Sequence, residues 1–90
     1  MHTTTWQMRI DLFEEEDRTR AEALLHTSAG TELRHTGLAR RRPGDHDVPE
    51  IGDEVAVCRA LSGIVHQLLD ATLADLATND PTREPSVRIE

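Results

Sequence analysis

The chain reads as an α+β domain, a three- to four-stranded antiparallel sheet in the order β-β-β-α with one long C-terminal helix and room for a short final strand. Three observations predict it. Apolar and polar residues alternate through three successive segments of residues 1–41, and the apolar spacing changes from two to three or four after Gly52. Between the two regimes stands RPGDHDVP, whose prolines and glycine suit neither kind of interior. Ninety residues have room for a single core, so residues 1–90 form one domain. Its parts are a sheet over 4–43, an acidic Pro/Gly loop over 44–52, a helix over 53–78 and a tail over 79–90.

The first strand follows from Trp6, Met8, Ile10 and Leu12 alternating with Gln7, Arg9 and Asp11. The run Glu14 to Asp17 repels itself and cannot be buried, so it is the solvated tip of a hairpin. Arg18 to Thr27 returns as the second strand, with Thr19, Ala21, Ala23 and Leu25 on one face. In TSAGT, Gly30 supplies the positive φ that a tight turn often needs. The third strand spans Thr31 to Arg41 and turns Leu33, His35, Gly37 and Ala39 inward. That face is small, which leaves room for a helix to lie close, and His35 is expected there as a hydrogen-bonded core residue.

From Ile51 the apolar positions Val55, Cys58, Leu61, Val65, Leu69, Thr72 and Leu76 recur every three or four residues, and Ile64, Leu68 and Leu73 widen the stripe. This predicts a helix from Asp53, as cap, to Thr78, with Glu54 favourable at the positive end of the dipole and Asn79 and Pro81 as stops. Such a helix is roughly 39 Å long at ~1.5 Å per residue, against about 30 Å for a nine-residue strand. Its apolar arc is close to half the circumference, too wide for one sheet. A second copy of the chain is the simplest source of another helix, so a homodimer is expected, with Leu61, Ile64 and Leu68 at its interface and Val65 in the core. PSVRIE offers a short edge strand through Val87 and Ile89.

The net charge of −7 disfavours unselective attraction to nucleic acid or anionic lipid, although all ten basic residues are Arg, whose forked donors suit phosphate or carboxylate. No apolar run approaches the ~20 residues that cross a bilayer. The single Cys58 excludes an internal disulfide, and no arginine-flanked apolar segment leads to a small-residue cleavage site, so a cytoplasmic protein is expected.

Few residues suggest chemistry. Asp45, His46, Asp47, Glu50 and Asp53 have cation-binding composition, but Pro49 and Ala56 fall where a calcium loop needs oxygen ligands. Cys58 falls in the apolar stripe, and His66 lies about 12 Å further along the helix, so no nucleophile–base pair is expected. Histidines and cysteine lack zinc-ligand spacing, and no phosphate loop or nucleophile elbow is present. The expectation is therefore no catalytic residue, metal, cofactor or small-molecule substrate. Arg34, Arg40, Arg41 and Arg42 are the candidate nucleic-acid contacts. Three phosphate contacts give a salt slope of only about −2.7, below that of strong binders, and the same arginines can pair with nearby carboxylates.

The segments RTRAEALLHT, GLARRRPGDHDVPEIGDEVA and CRALSGIVHQLLDAT give the chain a resemblance, from Trp6 to Glu90, to a family of small actinobacterial proteins catalogued as a domain of unknown function. Some members are linked to dormancy, and the fold has been likened to double-stranded-RNA-binding domains and ribosome hibernation factors. The resemblance implies a non-enzymatic, stress-associated role and transfers no catalytic residue. Hibernation factors carry two basic helices, whereas this helix sets Arg59 against Asp53, Glu54, Asp70 and Asp75. The leading expectation is a non-catalytic stress- or dormancy-associated interaction protein. The alternative is an RNA- or ribosome-binding module using Arg34 and Arg40 to Arg42, which requires those arginines to be exposed without carboxylate partners.

Overall fold

A computed structural model describes residues 1–41 and 49–79. Within them the chain forms β1 (Gln7–Glu14), β2 (Arg18–His26), β3 (Glu32–Arg40) and α1 (Pro49–Asn79). The strands make one antiparallel sheet in the order β1-β2-β3, and α1 lies on one of its faces, as the α+β reading expects. Arg42, Asp45, His46, Asp47 and the expected strand through Val87 and Ile89 lie outside the described residues.

Both hairpins close where the sequence predicts. The Glu15 N–H donates to the Arg18 carbonyl at 2.8 Å, leaving Glu16 and Asp17 at the tip, and Gly30 takes φ +83 in the β2–β3 turn. The register sets Met8, Ile10 and Leu12 opposite Leu25, Ala23 and Ala21, and sets Ala21 and Ala23 opposite Gly37 and His35. Opposed residues share a face, so these side chains line the face that carries the helix.

The core is built from small residues. Ala21, Ala23, Leu25, Ala39, Ala56, Ala60 and Ile64 are buried, and five of these seven are alanine. Alanines let backbones approach, and Gly37 brings them closest, since a Cβ there would run into the Ala56 carbonyl and the Ala60 amide. The small inward face of the third strand does admit a close helix.

The helix phase departs from the expectation. Ala56, Ala60 and Ile64 face the sheet, whereas Val65 is 57% exposed and Cys58 is exposed. Hydrophobicity weighting favoured the bulky stripe through Val65, but a sheet floored by Gly37 and alanines accepts the small one. Val65 is therefore not a core residue, and Ile64, expected at a dimer interface, is 2% exposed within a single chain. The helix also starts earlier, at Pro49, whose fixed φ and missing N–H suit the first helical position. Asp53 thus sits inside the second turn and is not the cap. Its Oδ1 is buried without a hydrogen-bond partner among the described residues.

At 31 residues the helix is roughly 46 Å long, about 16 Å longer than a nine-residue strand. It rests on β3 and β2 and touches β1 only at the margin. The apolar row of β1 is left open, with Met8 43%, Ile10 37% and Leu12 42% exposed.

Candidate functional site

Among the described residues, the apolar row of β1 is not covered by the helix. It begins at Trp6, half exposed, whose indole N–H donates to the Ser28 hydroxyl at 3.2 Å and ties the strand entry to the β2–β3 turn. On the other side of the row stands α1. Arg59 and Gln67 reach from the helix to β3 carbonyls, so at 100° per residue Leu61 and Leu68 fall on the opposite flank, toward β1. Both are half-buried and packed against the core edge. The result is an apolar strip floored by Met8, Ile10 and Leu12 and walled by Leu61 and Leu68, two of the three expected interface residues.

The arginines separate. Arg34, on the sheet face away from the helix, contacts the Glu32 carboxylate at 3.4 Å. The same face carries Arg9 with Asp11 at 3.0 Å, Arg20 with Glu22 at 3.6 Å, and Arg18 with Glu15 at 2.8 Å. Arg18 is the most strongly held. Its hydrogen bond to Glu15, together with that carboxylate's charge, raises its pKa further above the ordinary arginine value. These pairs are exposed, so solvent screens them. They cancel charge more than they add stability. Arg20 also lies over the Phe13 ring at 4.7 Å from its centroid.

Arg40 and Arg41 form no ion pair with any described residue, and the Arg41 N–H donates to the Asp17 carbonyl at 2.8 Å, which fixes the end of the sheet. Both line an open depression of about 650 Å³ between the acidic hairpin and the start of α1, together with Arg59 and Ile51. Its lining mixes Glu14, Glu15, Glu16 and Asp17 with the guanidinium groups. It therefore lacks the single sign of charge that focuses on phosphate.

Along the β3 edge a shallower groove of about 460 Å³ brings together His35, Cys58, His66 and Asp70. His35 lies on the helix-side face but at its exposed margin, 3.5 Å from the Gln67 amide nitrogen, so it is not the enclosed core residue expected. Among the described residues no group of three or more His, Cys, Asp or Glu is placed to hold a metal, and no helix is long and apolar enough to cross a membrane. The open β1 row was missed as a site because alternation predicts a face without saying whether a helix reaches it.

A family model described as Rv2632c-like matches residues 4–85. The chain belongs to the Rv2632c-like family. It is 41% identical over 81 residues to the uncharacterised protein Rv2632c of Mycobacterium tuberculosis, covering 90% of this chain and 84% of that protein. It is 42% identical over 80 residues to the uncharacterised protein Mb1767 of Mycobacterium bovis, covering 87% and 84%. The crystal structure of Rv2632c superposes with a TM-score of 0.80 at 39% identity, over 89% of this chain and 94% of that one. The small actinobacterial family expected from the sequence is thereby the Rv2632c-like family.

Proposed function

We propose that this protein is a non-catalytic interaction module of stress or dormancy physiology, acting in the cytoplasm through the apolar strip between β1 and α1. The observation that carries the reading is the row Met8, Ile10 and Leu12, each 37–43% exposed on the same face as a core residue opposite it. Soluble monomers rarely leave contiguous apolar patches above a few hundred Å² without a binding role. The stress assignment rests on the resemblance to dormancy-linked proteins.

The test is a tagged pull-down from stationary-phase cells, with and without ribonuclease, comparing wild type with Leu12→Asp. Retention of a protein, a second copy of the chain included, that survives ribonuclease and disappears in the variant supports the reading. Loss of all captured protein on ribonuclease treatment, or equal capture by Leu12→Asp, overturns it.

A second reading, RNA or ribosome binding, has one observation in its favour, the lack of described ion-pair partners for Arg40 and Arg41. Against it stand the Arg34–Glu32 pair and the acidic hairpin lining the same depression. If phosphate is the ligand, wild type co-sediments with ribosomes at roughly 50 mM salt, and changing Arg40, Arg41 and Arg42 together to Gln abolishes this while the fold persists. Absence of co-sedimentation at that salt refutes the second reading.

A further inference from the structure

The two edges of the sheet are treated differently, and the difference follows from the phase of the ladder. In an antiparallel pair, opposed residues alternate between bonded and non-bonded. The Arg41 N–H to Asp17 carbonyl bond makes that pair bonded, so in β3 the odd residues bond to β2 and Arg34 and Leu38 turn their carbonyls to the free edge. There α1 covers them, since Arg59 donates to the Leu38 carbonyl at 2.5 Å and Gln67 to the Arg34 carbonyl at 2.8 Å.

β1 has no such cover among the described residues. The Glu15–Arg18 bond sets its phase, so Gln7, Arg9, Asp11 and Phe13 bond to β2 while Met8, Ile10 and Leu12 turn both N–H and C=O outward. The strand contains no proline, and its charges Arg9 and Asp11 neutralise each other at 3.0 Å on the outer face instead of guarding the edge. Among the described residues it is thus an open template whose outward-bonding residues are also the exposed apolar ones.

We infer that β1 pairs antiparallel with β1 of a second copy, across a two-fold axis through Ile10, to form a continuous six-stranded sheet. The charges select this register. Centring on Ile10 sets Arg9 of each copy opposite Asp11 of the other, Met8 opposite Leu12, and Ile10 opposite itself. Centring on residue 9 or 11 instead sets Arg9 against Arg9 or Asp11 against Asp11, and opposed like charges disfavour pairing. Arg9 and Asp11, which pair at 3.0 Å within one strand, join a four-charge cluster on the outer face. Strands about 4.8 Å apart leave the two helices too far apart to meet, so Leu61 and Leu68 become the walls of a trough floored by both apolar rows. The inference rests on reading the strip as an interaction surface and names its first occupant as a second copy of this chain.

Light scattering on the full chain, up to about 100 µM to populate a micromolar dimer, gives about 20 kDa, twice the 10.1 kDa chain. Ile10→Asp, which opposes two carboxylates at the axis, returns the mass to that of one chain with an unchanged circular-dichroism spectrum. The register is read by oxidation: in a Cys58→Ser background, an equimolar mixture of the Arg9→Cys and Asp11→Cys variants, which keeps one Arg9–Asp11 pair, forms a covalent heterodimer, because directly opposed non-bonded residues lie ~4.5 Å apart at Cα, within disulfide reach. Either variant alone stays uncrosslinked. A wild-type mass of 10.1 kDa throughout overturns the inference, as does a dimer that the mixed single-cysteine variants fail to trap. If wild type is monomeric yet captures a different protein through Leu12, the interaction reading stands and this inference falls.

Discussion

Gly37→Ala is the sharpest test of how helix and sheet meet. The added Cβ would run into the Ala56 carbonyl, the Ala60 amide and the Arg59 Cβ, and backbone atoms cannot rotate aside as a side chain can. Relief requires moving α1 off β3 along the line of Ala56, Ala60 and Ile64, which loosens most of the core. Overpacking typically costs 1–3 kcal/mol. A clash with helix backbone belongs at the upper end, about 3 kcal/mol, of a total stability of roughly 5–13 kcal/mol for a chain this size. At a urea m-value of about 1.5 kcal/mol/M the midpoint falls by about 2 M. The control is Gly63→Ala, where the obstacle is the exposed-edge His35 ring. That ring can turn at a cost of ~0.5–1.5 kcal/mol, which the ~1 kcal/mol helix-propensity gain of alanine over glycine offsets. The net change is near zero, and becomes a gain of about 1 kcal/mol in a His35→Ala background. Both are measured by urea unfolding at one protein concentration, because association couples to stability. A Gly37→Ala midpoint within about 0.3 M of wild type, or a Gly63→Ala loss as large as that of Gly37→Ala, refutes the close-approach reasoning.

Two further substitutions test the helix phase and its start. Ile64→Asp buries an unpaired charge at a position 2% exposed and unfolds the domain, whereas Val65→Asp, at 57% exposure, stays within about 0.5 kcal/mol of wild type in monomer stability. Thermal melts that rank the pair the other way refute the phase. Asp53→Ala removes a buried oxygen with no described partner, so stability is unchanged or rises by up to about 1 kcal/mol. A loss of about 1 kcal/mol in the same melts is the signature of a cap and contradicts the Pro49 start.

Strand faces, hairpin positions and element order were legible because each rests on a local rule: alternation for β1 to β3, self-repulsion for Glu14 to Asp17, positive φ for Gly30. The helix phase was not. Ile64 and Val65 are neighbours of nearly equal hydrophobicity, and what decides between them is the surface beneath, where Gly37, Ala21 and Ala23 admit a stripe of alanines. The small inward face of β3 was itself visible in the sequence, so its match to Ala56 and Ala60 was the signal available. Asp53 misled because an acidic residue before an apolar run is a good cap, yet the helix already begins at Pro49, four residues earlier, where a fixed φ and a missing N–H suit the first helical position.

The candidate surface was hidden for a related reason. Period-two alternation in β1 is the same whether or not a helix covers the face, and only the placement of α1 over β3 and β2 separates the cases. The helix was expected to need a partner because its apolar arc was too wide; in the fold, Leu61 and Leu68 on its β1 flank and the open row of β1 make one continuous surface. The arginines follow the same logic in reverse. Arg34 sits two positions from Glu32 on one strand face, as Arg9 does from Asp11 and Arg20 from Glu22, so strand spacing alone pairs them. Charge on the outer face is neutralised by neighbouring carboxylates, while the inner face of β1 is apolar and, among the described residues, its free edge pairs with no other strand.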